Sequence, residues 1–244
     1  MLAAGRGVRM GGGTPKSLLP VKGGDPLLHF LLRSLRDAGV EDLLVVTGHR
    51  PDEVQSYVTE RWSGSVQYVW NPRYASWGNF HSVRIALDQS PGASLLVMNS
   101  DIVVPSEVVT RALAADGDLV LGVQKRKRLD REDMRVELAG DRVRGIGKDL
   151  KLPRSHGEFV GVSLVRPAAA RLYQEISTDR EWRGETHCYY EDVYAAMIGR
   201  LEVRASWAEA GEYAEVDAPE DQSAAVEVIN RYFSEESAQP AEVS

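Results

Sequence analysis

Short, almost continuous apolar runs recur along this chain, each followed by an amphipathic stretch, and few folds accept that pattern. Residues 42–47 read Asp-Leu-Leu-Val-Val-Thr and residues 94–99 read Ser-Leu-Leu-Val-Met-Asn. A strand apolar on both faces must be covered on both sides, as in a parallel sheet flanked by helices. Strands are also predicted over residues 66–70 and 118–124. Helices are predicted over residues 25–39, 51–62 and 105–115, and one ends near Leu87, started by Asn79 or Ser82. In the first of them Asp25 is the expected N-cap, Pro26 the first helical residue and Gly39 the stop. The alternation predicts a doubly wound α/β sheet, mixed but mostly parallel. Ligands of such sheets lie outside the carboxyl ends of the strands. Residues 5–13, 48–50, 71–79 and Asp101 all fall at such ends.

The second half reads differently. Residues 125–132 form a charge cluster expected to be a solvated loop. Residues 135–138 and 142–146 flank Ala139-Gly140-Asp141 and read as a hairpin. A strand over 157–165, helices over 167–176 and 190–198, and strands over 201–207 and 213–216 follow. A last helix ends near residue 233. The small, acidic and polar tail 234–244 is expected to be disordered. No repeat or linker divides the chain, so residues 1–233 are expected to form one domain with a smaller β-rich insertion.

Charge and cysteine content exclude several classes. The net charge of −7 over 244 residues argues against non-specific binding to nucleic acid or anionic membrane. The single cysteine, Cys188, permits neither an intrachain disulfide nor a cysteine metal cluster, and a reducing cytoplasm fits. No run approaches the roughly 18 apolar residues of a membrane span, and no signal peptide is visible. Oligomeric state is left open, a homodimer among the options. Only Met1 precedes Leu2, so the first strand is either short or trimmed.

The opening stretch carries the chemistry. Leu2-Ala3-Ala4-Gly5-Arg6-Gly7-Val8-Arg9-Met10 runs through a glycine tract to Thr14-Pro15-Lys16-Ser17-Leu18-Leu19-Pro20-Val21. Glycines let backbone N–H groups approach a polyanion, and Arg9 and Lys16 add charge. On glycine content alone it could equally be a mobile basic loop. It is not a dinucleotide fingerprint, because Met10 stands where a third glycine belongs, and no Walker Gly-Lys-Ser/Thr follows. The pattern Leu-Ala-Ala-Gly-x-Gly-x-Arg-Met, then Pro-Lys-x-Leu-Leu-Pro-Val, resembles the signature of the nucleotidyltransferases that build activated sugars and related headgroups. That resemblance implies a Rossmann-like, GT-A-like fold. It also implies a loop around the triphosphate of an NTP, formed by Leu2, Ala3, Ala4, Gly5 and Gly7 with Gly48 and Ser100 nearby. Arg9 and Lys16 would be the charge-stabilising catalytic groups.

The resemblance extends further. Asp101 stands where the family holds Mg²⁺, and Glu215-Val216-Asp217-Ala218-Pro219-Glu220-Asp221 is similar to the family's second acidic segment. It implies Asp101, Asp217 and Glu215 as metal ligands, an oxygen set that suits Mg²⁺. By itself Asp217 reads equally as the cap of the following helix. Asn71-x-x-Tyr74 with Asn79-x-x-Ser82 resembles the phosphocholine cytidylyltransferase branch, where Asn79 and Ser82 would meet the nucleotide; a capped loop is the alternative. Lys148 and Glu158 match acceptor-side positions, with surface roles as the alternative. The segment 182–192 clusters Tyr189 and Tyr190 with Glu191 and Asp192. Aromatic faces with carboxylates suit a compact organic cation. The alternative is core tyrosines and a helix cap. The resulting expectation is Mg²⁺-dependent transfer of CMP from CTP to a small phosphate or phosphonate monoester, such as phosphocholine or 2-aminoethylphosphonate. A sugar-1-phosphate or inositol-1-phosphate acceptor is the runner-up. A catalytically silent nucleotide-binding homologue is the reading from another class.

Overall fold

A computed structural model describes residues 1–5, 13–125 and 129–233. The first half runs β1 (Leu2–Ala3), β2 (Pro20–Lys22), β3 (Asp25–Pro26), α1 (Leu27–Asp37), β4 (Asp42–Thr47), α2 (Pro51–Arg61), β5 (Ser65–Trp70), α3 (Phe80–Asp88) and β6 (Leu95–Met98). β1 pairs in parallel with β4, and β4 with β5. On its other side β1 meets the end of β6 through a parallel bridge between Leu2 and Asn99. The spatial order is therefore β5-β4-β1-β6. The chain winds outward from β1 in one direction, then returns to continue in the other. The gap between β1 and β6 is thus the switch point at which such sheets bind ligands.

The second half runs β7 (Ile102–Val103), α4 (Ser106–Ala114), β8 (Leu119–Gln124), β9 (Arg135–Ala139), β10 (Arg142–Gly147), β11 (Gly157–Val165), α5 (Pro167–Trp182), α6 (Tyr190–Met197), β12 (Val203–Ala208), β13 (Ala214–Glu215) and α7 (Gln222–Tyr232). β11 lies antiparallel between β6 and β8, and β12 is parallel to β8. The β9–β10 hairpin is not a separate insertion. β10 pairs with β12, while β9 folds back onto the start of β11. The sheet is thus parallel on the β1 side and largely antiparallel around β11.

Helices cover both faces. Phe80, Tyr173, Tyr190 and Tyr194 of α3, α5 and α6 pack on one face, while Leu31, Val58 and Val109 of α1, α2 and α4 pack on the other. α7 closes one end, with Phe233 edge-on to Phe30 at 5.4 Å between ring centroids. Among the described residues no helix is long and apolar enough to cross a membrane.

Three expectations change. Asp25 and Pro26 are not the cap and first residue of α1: they pair with β2 as a short strand, and α1 starts at Leu27. α5 does not stop near residue 176 but continues to Trp182. Its last turns are held from outside by Arg84, whose guanidinium lies 2.6 Å from Glu181, and within by the i,i+4 pair of Arg183 with Asp179. Of the charged run 125–132, Asp130 and Glu132 line a cavity. The tail 234–244 lies outside the described residues.

Candidate active site

A cavity of about 750 Å³ opens at the switch point. Leu2, Ala3, Ala4 and Gly5 form its wall at the end of β1, while Asn99, Ser100 and Asp101 come from the end of β6. The two-stranded β7–β13 pairing supplies the third side. Glu215 registers with Ile102, and the Val216 N–H donates to the Asp101 carbonyl at 2.9 Å. Backbone pairing thereby brings Asp217 beside Asp101 across more than a hundred residues of sequence.

One carboxylate oxygen from each of Asp101, Glu215 and Asp217 lies within 4.8 Å of the others. The Lys16 ammonium bridges this group, 2.9 Å from Asp101 Oδ2 and in contact with Asp217. Burial pulls the Lys16 pKa down, but the Asp101 and Asp217 carboxylates outweigh it and the net displacement is upward. Burial, reinforced by the Asp101 and Asp217 charges, pushes the Glu215 carboxyl up to about 8. Asp101 Oδ1 is buried with no hydrogen-bond partner among the described residues. Three hard oxygen donors converging, one buried oxygen unsatisfied and a cation already seated among them fit a divalent cation such as Mg²⁺. The helix-cap role open to Asp217 belongs instead to Asp221, whose carboxylate accepts from the N–H groups of Asp217 and Ala218 at 2.9 and 2.7 Å.

On the far side of the cavity stand Lys148, Glu158, Tyr189 and Glu191. Lys148 Nζ is 3.4 Å from a Glu132 carboxylate oxygen and 5.8 Å from the centre of the Tyr189 ring. Tyr189 is half exposed, whereas Glu158 and Glu191 are buried. Burial drives the Glu191 carboxyl up to about 8, and its Oε2 has no hydrogen-bond partner among the described residues.

Asn79 and Ser82 line the cavity from the start of α3. Asn79 stands at the N-cap position, but neither side chain caps the helix. Asn79 Oδ1 accepts from the Tyr190 N–H at 2.9 Å, and Ser82 Oγ accepts from Asn71 Nδ2 at 2.9 Å.

Three expected contacts fall elsewhere. Tyr190 offers no face to a ligand, because its ring is fully buried between Phe159 and Tyr194. Asp192 caps α6, its carboxylate accepting from the Tyr189 N–H at 2.7 Å, and lines a smaller neighbouring cavity of about 450 Å³. Gly48 supports the opening segment from behind: a Cβ there would lie 2.5 Å from the Ala4 carbonyl oxygen and 2.6 Å from Tyr74 Cβ. Gly7 and Arg9 lie outside the described residues. Asn99, Asp130 and Asp133 also line the cavity and were not singled out by sequence reasoning. For Asn99 a signal existed, since it is the polar residue ending an apolar strand directly before Ser100-Asp101.

Comparison with known proteins agrees with this geometry. The model of the MobA-like NTP transferase domain matches residues 1–197. A bifunctional IPC transferase and DIPP synthase of Thermococcus kodakarensis is 33% identical over 151 residues, which are 62% of this chain and 34% of that protein. A CMP-5'-(3-aminopropyl)phosphonate synthase of Streptomyces rubellomurinus is 34% identical over 122 residues, 47% of this chain and 19% of that one. The chain thus spans about a third or less of the length of these relatives. Among solved structures, the inositol-1-phosphate CTP transferase from T. maritima superposes with a TM-score of 0.78 at 19% identity, covering 93% of this chain and 94% of that one. The CTP:phosphocholine cytidylyltransferase LicC from Streptococcus pneumoniae superposes at 0.71 and 21% identity, covering 91% and 94%. At these identities the likeness is one of fold.

Proposed function

We propose a cytidylyltransferase reaction for this chain, which belongs to the MobA-like NTP transferase domain family. CMP would pass from CTP to a small phosphate or phosphonate monoester in the cytoplasm, releasing pyrophosphate. The observation that carries the reading is the convergence of Asp101, Glu215, Asp217 and Lys16 at the switch point, facing residues 2–5.

An acceptor oxygen would attack the α-phosphorus in line. The new O–P bond forms as the bond to the bridging oxygen of pyrophosphate breaks. A phosphate or phosphonate oxygen is already anionic, so no general base is required. The chain then contributes alignment and fixed charge. Lys16 and Arg9 would stabilise negative charge on the leaving pyrophosphate, and Lys148 would orient the acceptor. Asp101, Glu215 and Asp217 would hold Mg²⁺, which supplies further charge neutralisation at the phosphates. Asn79, Ser82, Ser100 and residues 2–5 would seat the nucleotide.

Glu158 and the exposed Tyr189 favour a cationic acceptor. With Tyr190 buried, carboxylate oxygens outnumber aromatic faces on this side. That balance suits an ammonium with N–H donors, as in 2-aminoethylphosphonate, over the trimethylammonium of phosphocholine, which has none. Inositol-1-phosphate or a sugar-1-phosphate is the second reading, favoured by the IPC transferase relative, which aligns over 62% of the chain. The test is pyrophosphate release from four NTPs against 2-aminoethylphosphonate, phosphocholine, inositol-1-phosphate and glucose-1-phosphate, with Mg²⁺. CTP with 2-aminoethylphosphonate should turn over fastest, and Asp101→Ala should abolish it. Release with inositol- or sugar-1-phosphate alone would overturn the acceptor reading. Nucleotide binding without release from any pair would favour a silent binding protein.

A further inference from the structure

Tyr190 has no face in the cavity, yet it touches two residues that do. Its main-chain N–H donates to Asn79 Oδ1 at 2.9 Å, and its phenol donates to Asn99 Oδ1 at 3.0 Å. A backbone N–H can only donate, so the Asn79 amide must turn its oxygen toward Tyr190. Its Nδ2 end then faces the cavity, with no partner among the described residues. Asn99 Oδ1 accepts the phenol's hydrogen bond, and its side chain lies close against the Cα of Gly161, whose φ of +73° and missing Cβ leave room for it.

A second relay sets Ser82. The Arg73 N–H donates to Asn71 Oδ1 at 2.8 Å, which fixes the buried Asn71 amide. Asn71 Nδ2 then donates to Ser82 Oγ, so the Ser82 hydroxyl hydrogen remains for a ligand. Asn79 is thereby set to donor polarity, and Asn99 Nδ2 and the Ser82 hydroxyl hydrogen are likewise left to the cavity by partners outside it.

We propose that Tyr190 is a positioning residue that makes this wall, through Asn79 and Asn99 and in concert with Ser82, a set of hydrogen-bond donors selecting a ligand edge built of acceptor atoms. Within the nucleotidyl-transfer reading on which the inference rests, two sources offer such an edge. One is the nucleotide, through the ring N3 and O2 of cytosine or its phosphate oxygens. The other is the phosphate or phosphonate of the acceptor. Uracil places an N–H where cytosine places N3, so a wall of donors meeting the base would disfavour it.

The test pairs calorimetric titration of CTP and UTP in the presence of Mg²⁺ with the acceptor KM from pyrophosphate release. Tyr190→Phe keeps the buried ring and the main-chain bond to Asn79 and loses the phenol's bond to Asn99 together with its contact to the Glu191 carboxyl. It should weaken one ligand by about 3- to 10-fold, with kcat moving less than affinity. In an Asn99→Ala background it should add less than twofold. Asn79→Asp retains an acceptor for the Tyr190 N–H but faces the cavity with an anion, so it should bind at least threefold more weakly than Asn79→Ala. A loss confined to nucleotide Kd places the donors on the nucleotide, and one confined to acceptor KM places them on the acceptor. Full additivity of Tyr190→Phe with Asn99→Ala, or wild-type binding of both ligands by Asn79→Asp, would overturn the proposal. The CTP titration needs no acceptor, so it stands apart from failure of the reaction reading itself.

Discussion

Lys16 occupies the place a divalent cation would take, and its removal should therefore have two opposite effects. Its ammonium is held by two of the three converging carboxylates, 2.9 Å from Asp101 Oδ2 and in contact with Asp217. A cation entering the nucleotide-free site must displace at least one of those bonds. The Lys16 and Asp101 side chains are only 15% and 26% exposed, so that charge-assisted bond is worth about 1.5–3 kcal/mol. The Asp217 side chain is 47% exposed, so solvent screens its bond to about 1 kcal/mol or less. Replacing Lys16 by methionine removes this competitor at nearly constant length. Part of the gain is offset, because burial and its neighbours already hold Glu215 near 8, and with the ammonium gone the three acids repel one another more strongly. The net expectation for Lys16→Met is Mn²⁺ binding tighter by about 10- to 100-fold without nucleotide, or roughly 1.4–2.7 kcal/mol. Turnover should fall by about 10²–10³-fold, as when a group stabilising developing charge is lost. Free Mn²⁺ measured by electron paramagnetic resonance during titration of nucleotide-free protein gives the first number. Binding equal to or weaker than wild type would refute the idea that Lys16 competes for the site.

Two further variants probe the walls. Gly161→Ala forces a Cβ at φ +73° to within 2.9 Å of Asn99 Nδ2, so it should lose about 1–3 kcal/mol of stability, seen as a Tm lower by roughly 2–10 °C. Gly184→Ala carries the same backbone strain at φ +74° with nothing within 4 Å, so it should lose stability while keeping nucleotide affinity, which Gly161→Ala should lose. Burial raises the Glu191 carboxyl from its ordinary 4.5 to about 8, so between those values the unfolded chain releases a proton that the folded chain keeps. Stability therefore falls as pH rises through that window and the full cost is reached above about 8. Thermal melts of Glu191→Gln from pH 5 to 9 should show a shallower decline than wild type, with Glu215 contributing the remainder; identical slopes would count against a buried, protonated Glu191.

What could be read from the sequence follows from how locally each feature is determined. The strands over 42–47 and 157–165 appear with the predicted bounds, and in the first a continuous apolar run between polar flanks leaves the strand little freedom in register. Strand direction is not local. Nothing within residues 157–165 distinguishes a strand parallel to its neighbours from one antiparallel to both, and β11 is the latter. The Asp25-Pro26 pair carries a strong helix-start signal that pairing with β2 overrides. The same division runs through the site. Asp101, Glu215 and Asp217 could be named in advance because the segments that carry them resemble the acidic segments of the nucleotidyltransferases, yet only the β7–β13 pairing brings them within reach of one ion. Tyr189 and Tyr190 are adjacent aromatic residues, and composition does not separate them. Position does: Tyr189 precedes the first turn of α6 and remains half exposed, while Tyr190 opens that turn and is carried into the core against Phe159 and Tyr194. Burial leaves the Tyr190 phenol few polar outlets, and it donates to Asn99. Asn99 is the last residue of the apolar run 94–99 and forms the bridge to Leu2. A residue that reads from sequence as a contact for the acceptor is thus joined to the strand ends at the switch point, and a change at α6 has a direct route to them.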